Sequence, residues 1–362
     1  MPVFAFGANL HGQIPGQDSL TVSSPVTCPG CIAVAAASWS QAVFRDSTAA
    51  LTLRGLPLGR DSLDLASART WLGQDSFVAA LLHDGHILRF EDGKRSAEKY
   101  SLASVNSRGE LLVVPESNPL ELRLYPSVAA LFAASAPSSS PPASPTLFTL
   151  PAFPSFPSSP EHIHILSSGA SHSLLLALPS HRLFSLGDNR FGQCGVPSLS
   201  APSSSAPTLN RIEALDGLYP VEIACGAFHS AVRTQDGSVY VFGADKEGQG
   251  GGIGAGCEPQ LVELGLVGNE PGTGGEGDDE EVEVEVRQVV CGAEHTVLLT
   301  TRGEVWVAGA NHSGQLGLGD IASRRLFVRH PSFGARSQGA EGGCWKRKQS
   351  KGQGEGTEGL GL

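Results

Sequence analysis

Gly226-Ala227-Phe228-His229-Ser230-Ala231-Val232-Arg233-Thr234-Gln235-Asp236-Gly237-Ser238-Val239-Tyr240-Val241-Phe242-Gly243 is the stretch that decides the fold. Ser230 to Thr234 reads as a short strand and Val239 to Phe242 as its return. Gln235-Asp236-Gly237 forms the hairpin turn between them, with glycine tolerating the positive φ such a turn demands. The pattern recurs. Gly292-Ala293-Glu294-His295-Thr296 opens a second copy and Gly169-Ala170-Ser171-His172-Ser173 a third, each holding Gly-x-x-His followed by Ser or Thr. The copies end alike, at Gly187, Gly243 and Gly309 and then at the pairs Gly192-Gln193, Gly248-Gln249 and Gly314-Gln315. His172, His229 and His295 lie 57 and then 66 residues apart. A single hairpin cannot bury its faces alone. Units of this length stack, and short sheets arranged radially about an axis are the architecture that suits them.

Weaker copies extend toward the N-terminus. Ala36 to Val43 takes the place of the Gly-x-x-His strand, with Ala50 to Leu53 as its return. Phe77 to Leu82 turns at His83-Asp84-Gly85 into Ile87 to Phe90, and Leu102 to Val105 turns near Arg108-Gly109 into Leu111 to Val114. That makes six hairpin units. Val3 to Gln13 matches the second half of a unit, in register with Val305 to Gln315. A chain that opens on a half unit is expected to close as a circle, its first strands sharing a blade with its last and leaving no edge exposed. The expected fold is therefore all-β, a seven-bladed β-propeller closed by N- and C-terminal strands. After Asp320 only Leu326-Phe327-Val328 reads as a strand, so either the last blade is two strands short or the natural C-terminus lies elsewhere.

Composition agrees. Glycine is 45 of 362 residues, about 12% against roughly 7% in ordinary proteins, and there are 24 Pro. That profile fits many tight turns and excludes a helical bundle. A net charge of −11 disfavours unaided binding to nucleic acid or to an acidic membrane. With no long apolar run, no basic signal region at the start and seven scattered Cys, a soluble chain in a reducing compartment is expected.

With Gly-x-x-His-[Ser/Thr], an apolar return strand ending in Gly, and Gly-Gln-x-Gly-x-Gly-Asp at Gly314 to Asp320, the chain resembles the regulator of chromosome condensation repeat family. Members of that family form seven-bladed propellers. The match is specific over about residues 163 to 320 and 3 to 16, and the chain looks most like the short repeat-only members of the alpha-tubulin suppressor type and those linked to chromatin and microtubules. The resemblance implies a protein-interaction scaffold in nucleus or cytoplasm, with a chromatin-modifying enzyme, a histone or a small GTPase as partner. The founding member exchanges guanine nucleotide on the GTPase Ran through a wedge between strands and reaches chromatin through a basic tail. Neither feature is recognised here, so exchange activity stands as the alternative.

The propeller is expected to be one domain over 1–333, interrupted by disordered insertions at about 135–160, 197–207 and 268–285, with a disordered Gly-rich tail at 334–362. Residues 135–160 hold eight Pro and eight Ser, the composition of a loop that cannot build a core. Glu276 to Glu285 holds seven acidic residues and no basic one. Such runs are usually solvated, yet on a rigid scaffold Asp278, Asp279, Glu280 and Glu281 are the best candidates to contact a basic partner. The recurrence of Gly169, Gly226 and Gly292, of His172, His229 and His295, of Gly187, Gly243 and Gly309, and of Gln193, Gln249 and Gln315 marks structural roles, because a catalytic group is not needed in every blade. Cys225 and Cys291 share a position and read as small buried apolar residues.

Cys28-Pro29-Gly30-Cys31 has zinc-ligand spacing but lacks a second pair, and His162 and His164 are too isolated to complete it. Gly250 to Gly256 touches a nucleotide-loop pattern, but Cys257-Glu258-Pro259 stands where a helix should begin. Lys346-Arg347-Lys348 with Lys351 is a weak import patch. No catalytic set, cofactor or metal site is expected, nor direct sequence-specific nucleic-acid binding, and a monomer is expected.

Overall fold

The computed structural model describes residues 67–133 apart from 75, 144–151, 160–197, 207–264 and 284–333, together with the backbone of five earlier strands and residues Val43 and Thr48. Its strands fall into seven antiparallel sheets, each contiguous in sequence. The first pairs β1 (Phe4–Ala8) with β2 (Thr21–Thr27). The second holds β3 (Cys31–Ala37), β4 (Gln41–Asp46) and β5 (Leu51–Gly55). The third holds β6 (Ala68–Leu72), β7 (Ala79–Leu82) and β8 (Ile87–Arg89).

The remaining four sheets have four strands each. They are β9 (Tyr100–Val105), β10 (Leu111–Pro115), β11 (Glu121–Tyr125) and β12 (Thr146–Thr149); β13 (His162–Ser168), β14 (His172–Leu178), β15 (Arg182–Gly187) and β16 (Asn210–Arg211); β17 (Pro220–Cys225), β18 (His229–Thr234), β19 (Val239–Gly243) and β20 (Gly256–Leu261); and β21 (Val286–Cys291), β22 (His295–Thr300), β23 (Val305–Gly309) and β24 (Arg324–Arg329).

From the third sheet onward, the first strand of one sheet packs on the first strand of the next: β6 on β9, β9 on β13, β13 on β17 and β17 on β21. These strands are therefore innermost, and the sheets fan outward from them as in a propeller. Among the described residues the apolar core is divided accordingly into five clusters, each filling the gap between two successive sheets. A sheet packed on both faces needs apolar residues at consecutive positions rather than alternate ones. Leu174, Leu175 and Leu176 in β14 are each 0% exposed for this reason, and each contributes roughly 1.5–3 kcal/mol by leaving water.

Three expectations are corrected. Leu102 to Val105 and Leu111 to Val114 are the first and second strands of their sheet, not the second and third, because β11 follows as the third. The turn at Gly109 imitated a second-to-third turn in a unit that lacks the histidine. Leu326-Phe327-Val328 belongs to β24, which pairs with β23 through Trp306↔Arg329 and Val307↔Val328. It completes the sheet it follows and does not begin a shared blade. Within the interval 135–160, Thr146–Thr149 forms β12 through main-chain pairing to β11, so the Pro/Ser-rich stretch is split by an outer strand; residues 134–143 and 152–159 lie outside the described residues.

The three-stranded sheet β6–β8 is extended by a single bridge, Leu88 to Arg95, and packed on one face by a helix. Helix α1 (Val128–Ala133) buries Val128 and Leu131 in the cluster between this sheet and the next. Phe132 of the same helix lies under the Arg89 guanidinium of β8 at 4.7 Å. The main-chain edge of β8 itself is closed by residues 94–96, with Arg89 N–H donating to the Lys94 carbonyl and Ser96 N–H to the Ile87 carbonyl, both at 2.9 Å.

Candidate interaction site

The recurring residues form a hydrogen-bonded relay across the junctions between sheets. Ser230 Oγ donates to the Gln193 carbonyl at 2.8 Å and contacts His172 Nε2 at 2.9 Å. Thr296 Oγ1 donates to the Gln249 carbonyl at 2.7 Å and contacts His229 Nε2 at 3.0 Å. A hydroxyl has one proton, already given to the carbonyl, so the histidine donates and its proton sits on Nε2. Nδ1 of both rings is then the unprotonated nitrogen, a buried acceptor left without a donor. Desolvation pushes the pKa of His172 down to about 4 and that of His229 to about 3, so both rings are neutral near pH 7.

The glycine three residues before each histidine makes the relay possible. A Cβ on Gly226 would lie 2.1 Å from Cε1 of His229 and 2.8 Å from the Gly292 carbonyl; on Gly169 it would lie 2.4 Å from Cε1 of His172 and 2.2 Å from the Gly226 carbonyl. The ring lies flat against the place a side chain would need. The third histidine differs: His295 is half-buried, and among the described residues it has no hydroxyl partner.

The loops after β15, β19 and β23 share one construction. Gly187, Gly243 and Gly309 start them at φ of +109°, +106° and +108°, where a Cβ would collide with the main-chain oxygens of Ser171, Phe228 and Glu294. Gln193, Gln249 and Gln315 accept through Oε1 from the N–H groups of Phe191, Glu247 and Ser313 at 2.9, 2.9 and 2.8 Å. A position missed in the sequence completes the loop. Asn189 Oδ1 accepts from Cys194 N–H at 2.9 Å, Asp245 Oδ1 from Gly250 N–H at 2.7 Å, and Asn311 Oδ1 from Leu316 N–H at 2.9 Å. The signal was present, since each stands two residues beyond the loop-starting glycine.

The loops after β15 and β19, with the first-to-second turns at Phe228 and Glu294 and with Arg325 of β24, border a cleft of about 540 Å³ lined also by Phe191, Lys246 and Glu247. Phe191 and Phe228 come from neighbouring sheets and meet edge to face with centroids 5.3 Å apart, and Phe191 remains 46% exposed. Arg190 lies over Phe191 at 6.0 Å and pairs with Asp188 at 2.8 Å. Glu247 meets His312 at 3.3 Å. The cleft can seat an apolar side chain against ring edges beside fixed charges of both signs. Sequence reading missed it because its two rings are 37 positions apart and neither belongs to the repeat signature.

Asp278, Asp279, Glu280 and Glu281 lie outside the described residues, as do residues 198–206 and 334–362 with the basic cluster at 346–351. The chain leaves β20 and re-enters at β21 on the side of the second-to-third turns, where Val286 N–H donates to the Gly237 carbonyl and Thr301 N–H to the Glu285 carbonyl. The cleft opens on the opposite side, among the first-to-second and third-to-fourth loops. Gly250 to Gly254 is one of those loops, folded round the Asp245 carboxylate. His162 and His164 stack edge to face at 5.9 Å, and among the described residues no group of three metal-ligating side chains occurs. Cys225 and Cys291 each direct Sγ at the main-chain oxygen of a neighbouring sheet, Ser167 at 3.4 Å and Ala224 at 3.7 Å. Among the described residues no helix is long and apolar enough to cross a membrane.

Models of the regulator of chromosome condensation repeat match residues 180–233, 221–249 and 286–315. The chain is 35% identical over 168 residues to the X-linked retinitis pigmentosa GTPase regulator homolog of Caenorhabditis elegans, covering 46% of this chain and 10% of that protein. It is 33% identical over 162 residues to the ultraviolet-B receptor UVR8 of Arabidopsis thaliana, covering 44% and 32%, and 33% identical over 151 residues to the RCC2 homolog of Xenopus laevis, covering 41% and 26%. The matched region thus spans between a tenth and a third of these curated relatives. Among solved structures, Prp20p of Saccharomyces cerevisiae superposes with a TM-score of 0.65 over 90% of this chain and 85% of that one at 16% identity, a likeness of fold. The chain thus carries regulator of chromosome condensation repeats over residues 180–249 and 286–315, a stretch that includes the His229–Thr296 junction, on sheets arranged as in a propeller.

Proposed function

We propose that the chain is a non-enzymatic protein-interaction scaffold, a single propeller over 1–333 in which the seven sheets are seven blades and the β1–β2 pair belongs to the blade that closes the ring. The observation that carries this reading is the cleft between Phe191 and Phe228, an exposed aromatic site held on loops that are themselves hydrogen-bonded at every turn. Binding residues on rigidly supported loops are a common way for a scaffold to recognise partners. The acidic run at Asp278 to Glu281 is a second contact in this reading, suited to a basic partner such as a histone tail. The family resemblance supports chromatin or microtubule regulation in nucleus or cytoplasm as the setting.

Affinity capture with mass spectrometry, comparing the full chain with Phe191→Ser and with a chain lacking residues 270–286, tests the proposal. Partners lost with Phe191→Ser are expected, and recovery of the same partners from all three proteins defeats it. Replacing Asp278, Asp279, Glu280 and Glu281 by Ser should leave melting unchanged and weaken capture of a basic partner. Exchange on a Ran-type GTPase is the alternative. Prp20p, which shares the fold, has described binding properties to Gsp1p and histones. Clear acceleration of fluorescent-nucleotide release from such a GTPase would put exchange first.

A further inference from the structure

The two ends of the cleft carry different chemistry at equivalent positions. Phe191 stands four residues beyond Gly187, and Phe228 two beyond Gly226. At the next junction the same positions, four beyond Gly243 and two beyond Gly292, hold Glu247 and Glu294. The two junctions are built alike. A Cβ on Gly192 would lie 2.5 Å from the main-chain nitrogen of Cys257 in β20, and one on Gly248 would lie 2.3 Å from Cα of Arg325 in β24. Each third-to-fourth loop thus abuts the outer strand of the next sheet. A single cleft spans both junctions, walled by an aromatic pair at one and by two carboxylates at the other.

The chain itself shows what a phenyl ring and a carboxylate hold together. Arg190 lies over the Phe191 ring while its guanidinium pairs with Asp188 at 2.8 Å. Arg89 lies over the Phe132 ring at 4.7 Å while its Nε donates to Asp92 at 2.9 Å. A guanidinium suits both partners, because its flat face stacks on a ring and its N–H edge donates to carboxylate oxygens. The charge of the cleft favours such a guest. Asp245, Glu247 and Glu294 set three negative charges in its wall against the two positive ones of Lys246 and Arg325, and the Lys246 side chain is 91% exposed. Glu247 is held in place, its Oε2 lying 3.3 Å from His312 Nε2 and 3.4 Å from Ser323 Oγ, while its Oε1 is 3.7 Å from Lys246 Nζ, beyond hydrogen-bond reach. Resting on the reading of the cleft as the contact site, we propose that its occupant is an arginine side chain of a partner protein, with the guanidinium against the Phe191–Phe228 pair and its N–H groups donating to Glu247 and Glu294.

Selection of a random peptide display library on the full chain, with counter-selection on the Phe191→Ser chain, tests this. Enriched peptides that share an arginine are expected. Enriched peptides without one overturn the arginine pocket and leave the cleft standing as the contact site. Equal enrichment on Phe191→Ser, or none on either chain, removes the cleft and the pocket together. A labelled synthetic copy of the most enriched peptide, titrated by fluorescence anisotropy, then isolates the charge. Exchange of its arginine for citrulline, which keeps the shape and loses the charge, should weaken binding roughly tenfold or more, the worth of a charged hydrogen bond. Glu294→Gln in the chain, a change at an exposed side chain that leaves the fold alone, should weaken the arginine peptide several-fold and narrow its advantage over the citrulline one. Lys246→Ala, which removes a competing cation, should tighten it. Equal affinity for the two peptides, or indifference to Glu294→Gln combined with Glu247→Gln, overturns the proposal.

Discussion

Acid should loosen this protein through its histidines before it affects the carboxylates. His172 and His229 ordinarily titrate near 6.5 and are held down to about 4 and about 3 by burial. As pH falls below the unfolded value, the unfolded chain takes up a proton at each site and the folded chain does not. Stability therefore falls with pH through that window, until the folded values are reached. At about pH 5 each ring costs 2.303RT times about 1.5 units, or ~2 kcal/mol relative to neutral pH, a figure fixed by the unfolded value so long as the folded one lies below about 5. The pair removes ~4 kcal/mol from a domain whose whole stability is of order 5–15 kcal/mol. His330, also pushed down by burial, adds to the loss with the same sign. Asp188, Asp236 and Asp320 are held below their ordinary 3.8 and lose their contribution only at lower pH.

The perturbation is His229→Gln, which keeps an amide N–H able to donate to Thr296 but does not titrate. Urea unfolding followed by tryptophan fluorescence at about pH 7.5 and about pH 5 measures the difference, and the variant should lose ~2 kcal/mol less than the parent between the two conditions. An unchanged loss in the variant, or a parent equally stable at both, refutes the buried neutral relay.

Gly226→Ala should cost ~2–3 kcal/mol, because its Cβ meets the His229 ring and the next sheet's carbonyl, whereas Gly303→Ala, at φ +80° in open space, should cost only ~1 kcal/mol; equal urea midpoints would contradict the packing. Phe191→Ala should leave the melting temperature within about 1 °C of the parent, since the ring is 46% exposed, while weakening whichever partner the cleft holds. Burial pushes the Cys194 thiol up to about 12, so iodoacetamide near pH 8 should modify Cys257 well before Cys194, as read by peptide mass spectrometry; comparable rates would show that the β15–β16 loop opens readily.

The Gly-x-x-His units were legible because glycine, ring and hydroxyl are mutually required at fixed spacing, and steric necessity leaves the same letters each time. The third unit was misassigned by one strand because Asn106 replaces that machinery, closing its turn with side-chain bonds to the N–H groups of Arg108 and Glu110. β12 was unreadable for a different reason. Its pairing is entirely main-chain, and the Pro and Ser around it hide a four-residue strand that has little apolar side to show. Of the candidate site, the framework residues Gly187, Gln193 and their counterparts were visible. The aromatic pair was not, because contact between Phe191 and Phe228 is a property of how neighbouring sheets sit.

The division of the core into five separate gaps has a consequence for tolerance. Among the described residues no apolar cluster extends beyond two adjacent sheets and the loops between them, so extra sequence inserted between strands perturbs at most its immediate neighbours. The described strands that flank residues 134–143, 198–206 and 265–283 in sequence complete their pairing without them. A foreign epitope or fluorescent tag placed at any of the three should therefore leave the remaining junctions folded, which makes those points natural handles for engineering and a route by which length can vary without loss of architecture.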